Sequence, residues 1–259
     1  MLIHLLLAAS WPDPQATLSP TAPSFPEGFG VRTIYVDAGH GASGNPGNTS
    51  AFCLSEQDEM LRIALDLEQR LEATGHFQVE LSRRPGQLTE YKARVAEAKA
   101  LGAEVFLSLH SDARGQASIW SPEEGKACQT TDGEHGFSVL YSGEGDAQLA
   151  AERERLALSL GESLSSAGFP PYRGLWYGDL YAEHADEPGV FLDTHAPSKR
   201  IMVLRRPEMA SVIVETHQAW DPEEPLRWKE EATLQAFADA VAVGLVDYLS
   251  FEPSVAADH

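Results

Sequence analysis

The order of the apolar segments between residues 33 and 109 constrains the fold most strongly. Short β-branched and aromatic runs at 33–36, 77–81 and 105–109 are separated by two longer stretches in which apolar residues recur at helical spacing. Strand, helix, strand, helix, strand is the pattern of a parallel sheet with helices on its faces. We therefore predict an α/β fold, a single domain with a mostly parallel twisted sheet of about six strands and helices on both faces.

Two of these predicted strands end in a histidine. Glycines bracket His40 after the first strand, and His110 follows the third, while Glu56 opens the helix between them. The carboxyl ends of parallel strands meet at one edge of the sheet, where open α/β proteins bind their ligands. Two histidines and one carboxylate match the three protein ligands of a catalytic zinc site. Position alone leaves a second role open for Glu56, because a carboxylate in a first turn also complements the helix dipole.

A further carboxylate ends an apolar strand late in the chain. Residues 211–214 are Ser-Val-Ile-Val, and Glu215 is the last residue of this strand. Burying a carboxylate there is costly unless it has a partner or a function, so the pattern favours a functional Glu215. His217 is close enough in sequence to orient a substrate or to support a metal ligand. The chain has no GxSxG nucleophile motif, which leaves little support for serine chemistry.

Composition limits the partners that the protein can bind and indicates how the chain is divided into segments. A formal charge of −20 argues against nucleic acid and anionic membranes as partners, since both would repel the protein. Residues 1–10 are apolar and too short to span a bilayer; they resemble a signal-peptide core without a preceding cation, or a frayed terminus. We predict a Pro-rich, unpacked linker at 11–30, the catalytic domain at 31–250, a frayed tail at 251–259 and no transmembrane segment.

Two cysteines and two long loops leave alternatives open. Cys53 and Cys128 form one disulfide in an oxidising compartment, or they remain two free thiols. The loop at 114–135 is polar and longer than a plain connection. The segment 176–200 is rich in aromatic residues, and we interpret it either as a packed surface excursion or as a lid or sugar-binding rim. It also contains the two other histidines considered as extra ligands, His184 and His195.

Several runs together resemble a known family. They are VDAGHG at 36–41, SEQDEMLRIALDL at 55–67, AEVFLSLHSD at 103–112 and VLRRPEMASVIVET at 203–216. In order and spacing they resemble the zinc-dependent N-acetylmuramoyl-L-alanine amidases, the bacterial peptidoglycan amidases found in cell-separation enzymes. The resemblance extends over about residues 31–250.

The resemblance implies roles for individual residues. It implies zinc bound by His40, Glu56 and His110, with Glu215 as the catalytic carboxylate. Candidate supporting or substrate-contacting residues are His217, Arg173 in an Arg-Gly step, and Asp37. It also implies a peptidoglycan substrate, export to the periplasm or cell wall, and an activator protein as a candidate partner.

Two other functions are compatible with these residues. A zinc peptidase of the carboxypeptidase type would share the ligands but would need an arginine clamp for the substrate carboxylate, for which the chain offers Arg83, Arg84, Arg205 and Arg206. A peptidoglycan-binding domain without activity would be favoured by missing ligands, yet the four expected residues are present. The bond that is cut distinguishes the two enzymes.

Overall fold

The structure is a computed structural model that describes residues 18–131 and 133–251. The candidate signal segment at 1–10 lies outside the described residues, as do the first part of the predicted linker and residues 252–259 of the predicted tail.

A seven-stranded sheet forms the centre of the described chain. The strands in chain order are β1 (Arg32–Ala38), β2 (Phe77–Leu81), β3 (Val105–Asp112), β4 (Ser118–Trp120), β5 (Cys128–Thr130), β6 (Ser138–Tyr141), β7 (Tyr181–Glu183), β8 (Val190–Asp193) and β9 (Ala210–Gln218). The sheet order is β2-β1-β3-β9-β6-β8-β7, and β4 and β5 form a separate hairpin. Only β6 against β9 and β7 against β8 pair antiparallel within the sheet. The prediction of a mostly parallel α/β sheet is confirmed, with seven strands instead of about six.

Helices cover both faces of the sheet. The helices are α1 (Glu56–Ala73), α2 (Tyr91–Ala100), α3 (Ala147–Ser166), α4 (Met202–Arg205), α5 (Glu224–Arg227) and α6 (Glu231–Ser250). Side chains alternate along each strand, so in β3 Val105 and Leu107 face the larger core with α1, α3 and α6, whereas Phe106 faces a smaller core with α2 and α4. Burial on both faces explains why the strands are continuous apolar runs.

Helix α6 is the one helix among the described residues that is long and apolar enough to cross a membrane by length and composition. In the structure 67% of its most apolar window is buried, and it packs against α3 and α1. Such burial is typical of a helix in the core of a domain.

The described part of the predicted linker is packed. Residues 18–30 form no helix or strand, as the proline content predicts. However, Phe29 is only 5% exposed and belongs to the larger core, and the Phe25 ring stacks on His76 with 4.0 Å between the ring centroids. Both phenylalanines also contact Phe77 at the start of β2. The prediction of an unpacked segment is therefore wrong for residues 18–30, because these apolar rings complete the core.

The segment 176–200 contributes two strands that the sequence analysis did not predict. β8 pairs in parallel with β6, and its Phe191 is 1% exposed. β7 then pairs antiparallel with β8 and forms the edge of the sheet. The interpretation as a surface excursion is wrong for β8, which is an inner strand. Its short length, Val190–Asp193, hid it among polar neighbours.

Candidate metal centre

Three side chains converge at the carboxyl edge of the parallel strands. His40 follows β1, Glu56 is the first residue of α1, and His110 lies in β3. Glu56 Oε2 lies 3.1 Å from His40 Nε2, and Glu56 Oε1 lies 2.9 Å from His110 Nδ1. The ligand atoms of the three residues lie within 4.8 Å of one another. Two imidazole nitrogens and one carboxylate are a donor set that zinc prefers, with room for a further ligand.

Two glycines make space for this cluster. A Cβ on Gly39 would lie 2.7 Å from the His110 ring and would clash with the carbonyl oxygen of Leu109. A Cβ on Gly47 would lie 2.6 Å from Glu56 Oε2 and 2.7 Å from Cδ2 of His40. Side chains at either position would displace the ligands, so the backbone is built closely around the three donors. The residues present therefore fit a zinc ion.

The backbone and ring of His40 are held by residues outside the ligand set. His40 has a φ of 58°, a left-handed conformation that is unusual for a residue other than glycine. Arg94 donates to the carbonyl oxygen of His40. The His40 Nδ1 atom lies 2.9 Å from Asn45 Oδ1. An amide oxygen can only accept, so Nδ1 carries a hydrogen, and Nε2 is the nitrogen that would present its lone pair to a bound metal ion.

Glu56 is the most thoroughly hydrogen-bonded member of the cluster. The backbone N–H of Asn48 donates to its Oε2 at 2.9 Å, and that of Ser111 to its Oε1 at 3.1 Å. Burial opposes its charge, yet the hydrogen bonds from His110 and His40 hold the pKa of Glu56 far below its usual value. Burial likewise opposes a charged His40, but its hydrogen bond with Glu56 raises the pKa of His40. Glu56 is thus kept ionised and aimed at both imidazoles.

Glu215 lies beside His110 in the sheet. The two residues are register partners in the parallel pair β3 and β9, so their side chains leave the same face of the sheet. Glu215 Oε2 is enclosed, and no described residue hydrogen-bonds to it. Burial raises the pKa of Glu215 well above its usual value, and the negative charges of Asp112 and Glu56 add to this effect. A carboxylate in this setting binds a proton readily.

A tyrosine connects the cluster to the next strand. The Tyr177 hydroxyl lies 2.7 Å from Asp112 Oδ2 and 2.9 Å from Ser138 Oγ, so it donates to the carboxylate and accepts from the serine. Arg114 stacks on the Tyr172 ring, 3.8 Å from its centroid, and its Nε lies 3.7 Å from Asp112 Oδ2. Sequence reasoning missed this network; its one local signal is the Asp112 carboxylate, two residues after His110.

Of the predicted supporting residues, Asp37 acts on the loop that carries His40. Its carboxylate accepts from Arg94 Nη1 at 2.8 Å and from Ser108 Oγ at 2.7 Å. Asp37 is 1% exposed and Arg94 is fully buried, so Asp37 is not placed to contact a substrate. Arg94 also donates to the carbonyl oxygens of Ala38 and His40. The buried ion pair therefore fixes the turn after β1.

The other two supporting candidates lie in different surroundings. His217 is buried, its Nδ1 is 2.8 Å from Thr216 Oγ1, and its ring stacks on Trp228 with 5.4 Å between centroids. Thr216 Oγ1 also lies 2.9 Å from the carbonyl oxygen of His110, which ties His217 indirectly to that ligand. Arg173 is exposed and pairs loosely with Glu183 at 4.0 Å.

The extra histidines are not part of the cluster. His184 Nε2 lies 3.5 Å from Glu154, and His195 Nδ1 lies 2.8 Å from Asp193 Oδ1. Neither residue belongs to the group of converging donors.

A disulfide closes one side of the centre. Cys53 and Cys128 are bonded, with their Cα atoms 5.3 Å apart, which resolves the alternative that the sequence left open. The bond joins the β4–β5 hairpin to the loop just before Glu56. Trp120 of the hairpin supports the same contact, because its Nε1 donates to the carbonyl oxygen of Ala51 at 2.7 Å. The loop at 114–135, which we call the strap, is therefore held beside the first turn of α1.

Comparisons with known proteins agree with this geometry. A family model described as N-acetylmuramoyl-L-alanine amidase matches residues 34–247. The chain belongs to this family. It is 26% identical over 223 residues to the amidase AmiC of Neisseria meningitidis, and 22% identical over 226 residues to AmiC of Escherichia coli. Each alignment covers 84% of this chain and 52% of the relative, so the chain spans about half the length of these curated amidases.

Solved amidase structures have the same fold. The N-acetylmuramoyl-L-alanine amidase from Clostridium difficile 630 aligns with a TM-score of 0.63 at 21% identity, covering 86% of this chain and 99% of that structure. The amidase Ami1 from Mycobacterium smegmatis aligns with a TM-score of 0.64 at 20% identity, covering 86% and 98% respectively.

Proposed function

We propose that the protein is a zinc-dependent amidase that hydrolyses the bond between N-acetylmuramic acid and L-alanine in peptidoglycan. The observation that carries this proposal is the register pairing of Glu215 with His110, which puts a proton-binding carboxylate beside a His-Glu-His donor set. Membership of the amidase family supports the choice of substrate.

The proposed zinc ligands are His40 Nε2, the Glu56 carboxylate and His110 Nδ1. When bound, zinc supplies Lewis-acid activation of the scissile carbonyl and of water. The chain itself supplies the orientation of the donors, through Asn45 at His40 and through the backbone N–H groups of Asn48 and Ser111 at Glu56.

Glu215 is the proposed general base and acid. It would accept a proton from the attacking water and deliver it to the nitrogen of the leaving L-alanine. A catalytic carboxyl works best when its pKa lies nearer to the working pH than that of a free glutamate. The burial of Glu215 and the neighbouring negative charges raise its pKa in that direction, which supports this role.

Three of the four arginines considered as a peptidase clamp are engaged elsewhere. Arg83 is buried and donates to the carbonyl oxygens of Ala38, Gly39 and Gln57. Arg84 forms a two-pronged ion pair with Glu68. Arg205 faces Glu144 at 3.8 Å. No observation on these residues favours the carboxypeptidase-type alternative.

We propose further that the protein is exported and that the catalytic domain includes residues 18–30. The Cys53–Cys128 disulfide supports export, because such bonds persist in oxidising compartments. The packing of Phe25 and Phe29 supports the earlier domain start. An activator remains a candidate partner, because the CwlD amidase of Clostridioides difficile, a structural relative with a TM-score of 0.54, was solved in complex with the GerS lipoprotein.

Digestion of purified peptidoglycan tests the proposed function. The protein is incubated with sacculi, with and without a chelator and with zinc restored, and the products are analysed by mass spectrometry. We expect intact stem peptides with a free L-alanine amine and glycan strands without peptides, only when zinc is present. Cleavage inside the stem peptide would establish a peptidase instead. Zinc-loaded protein that binds sacculi without any cleavage would point to an activator-dependent enzyme or to the non-catalytic alternative.

A further inference from the structure

Exposed apolar side chains are concentrated in one short segment. Leu175, Trp176 and Leu180 are 68%, 51% and 49% exposed, and they are three of the nine large apolar side chains that are exposed in the described chain. Single exposed apolar residues are ordinary, whereas several of them within six residues form a candidate binding surface. We call residues 175–180 the apolar wall.

The apolar wall is attached to the candidate active site through Tyr177. The Tyr177 hydroxyl hydrogen-bonds Asp112 and Ser138. Ser138 is the register partner of Glu215 in the antiparallel pair β6 and β9. The Tyr177 hydroxyl therefore contacts the residue that lies directly across from the proposed catalytic carboxylate. Trp176 directly precedes Tyr177, and its backbone N–H donates to the hydroxyl of Tyr172. The backbone that carries the exposed indole is therefore fixed one residue before Tyr177.

The apolar wall is supported by contacts between aromatic rings. The ring of Tyr177 contacts the rings of Tyr172 and Phe191, each with 4.9 Å between centroids, and that of Tyr181 at 4.6 Å. Burial raises the pKa of Tyr181, and the nearby charges of Glu215 and Asp112 raise it further. Tyr177 in the middle of the wall and Tyr181 just after it thus lie next to the site, and their ring contacts hold the wall there.

The charge and polarity of the apolar wall indicate which class of ligand it can bind. Asp179 is the one charged residue in the wall, and Arg173, shortly before it, pairs with Glu183. The wall thus offers no cation to the carboxylates of a stem peptide, and a protein with a charge of −20 is repelled by an anionic membrane. A pyranose ring has an apolar C–H face and a polar rim, which suits an exposed indole bordered by a carboxylate.

We propose that the apolar wall is a saccharide subsite, in which Trp176 stacks on a sugar ring of the glycan strand. This inference rests on the proposed function, because the scissile amide is attached to the lactyl group of a muramic acid whose neighbouring sugars must lie beside the site. The wall binds the strand on which that muramic acid stands. It contributes to substrate affinity and takes no part in proton transfer.

Steady-state kinetics on two substrates test this subsite. One substrate is a single N-acetylmuramoyl-peptide, and the other carries the same peptide on a glycan of several disaccharides. For Trp176→Ala we expect KM on the longer substrate to rise about three- to tenfold, the effect of one aromatic stacking contact. On the single-sugar substrate we expect less than about a twofold change, and kcat should be unchanged on both. Trp176→Phe should restore most of the affinity, since it keeps an aromatic face.

Leu180→Ala and Leu101→Ala form a matched pair for the same assay. The two leucines are 49% and 45% exposed, but Leu101 ends α2 just before β3, at the edge of the sheet opposite His110. Only Leu180→Ala should raise KM on the longer substrate. An equal KM for Trp176→Ala and wild type on both substrates would overturn the subsite, as would a fall in kcat alone or a change in oligomeric state. Wild type that cleaves neither substrate would instead refute the proposed function.

Discussion

The first turn of α1 and the end of β9 each present a glutamate to the same centre, in opposite surroundings. Glu56 accepts hydrogen bonds from two backbone N–H groups and lies against two imidazoles. Glu215 Oε2 is enclosed without a partner among the described residues. The pKa of Glu56 is held far below its usual value, whereas that of Glu215 is raised.

The comparison shows how one residue type acquires two functions from its environment. A carboxylate surrounded by donors stays ionised and suits a cation, whereas one enclosed beside other negative charges binds and releases a proton. Two carboxyl groups whose pKa values are pushed apart are a common sign of a division of labour in a catalytic site.

The largest expected effect comes from making the same substitution at both glutamates. Glu215→Gln should lower kcat by about 100- to 10,000-fold and leave the zinc content at the wild-type level, because only proton transfer is lost. Glu56→Gln should lose both zinc and activity, since a carboxylate ligand is replaced by a neutral amide. Metal analysis of the purified variants alongside kcat separates the two. Loss of zinc from Glu215→Gln would make it a ligand and erase the contrast.

Removal of the disulfide, which lies just before Glu56 in the chain, should lower the stability of the fold. The Cys53–Cys128 bond spans a sequence separation of 75 residues. Constraint of so long a loop in the unfolded chain contributes about 4 kcal/mol in the chain-entropy model. We expect Cys53→Ser with Cys128→Ser to lower the free energy of unfolding by about this amount in urea denaturation. Reduced wild type serves as the control and should match the double variant; a loss below about 1 kcal/mol would show that the strap adds little.

His217, two residues after Glu215 in β9, should make the stability of the folded protein sensitive to acid. Burial lowers the pKa of His217 to about 3, whereas in the unfolded chain it is 6.5. The unfolded state therefore binds the proton more readily, and stability falls as the pH drops from 6.5 towards 3. Between pH 7 and pH 4 this linkage amounts to about 3 kcal/mol.

We expect His217→Leu to reduce the loss of unfolding free energy between pH 7 and pH 4 by about that amount, measured on zinc-free protein. The variant is less stable at pH 7, because its hydrogen bond with Thr216 is gone. His184→Gln, at a histidine 3.5 Å from Glu154, is the control, because it leaves His217 and its contribution to the pH dependence in place. An unchanged slope for His217→Leu would contradict the buried neutral imidazole.

The smallest effect is expected at Asn45, which supports a ligand without being one. Its Oδ1 accepts from His40 Nδ1, and its amide nitrogen donates to Tyr91. We expect Asn45→Ala to weaken zinc binding about 10- to 100-fold, as for other residues that orient metal ligands. Competition with a chelator of known affinity measures this change. Unaltered affinity would mean that the backbone alone orients His40.

The parts of the molecule that sequence could predict depend on local patterns. Apolar runs and helical spacing place β1, α1, β3 and β9 along the chain, and parallel pairing then brings the ends of the strands to one edge. The convergence of His40, Glu56 and His110 follows from this placement. That Glu215 lies on the same face of the sheet as His110 does not follow, because it depends on the register between β3 and β9.

The remaining features depend on contacts between distant residues. Tyr177 and Asp112 are 65 positions apart, and no periodicity links them. Whether Cys53 pairs with Cys128 depends on a Cα separation that only the folded chain defines. β8 is four residues long, too short for alternation to distinguish it from a loop. The proline content of residues 18–30 concealed the two phenylalanines that pack into the core.

The buried Arg94 has a consequence for how the protein is loaded with metal. Through Asp37 and the carbonyl oxygens around it, Arg94 holds the turn of His40 in its left-handed conformation by contacts within the protein. The fold, and not the ion, therefore bears the cost of ordering this ligand. A chain stripped by a chelator is therefore expected to keep its donors in place and to take up zinc again without refolding.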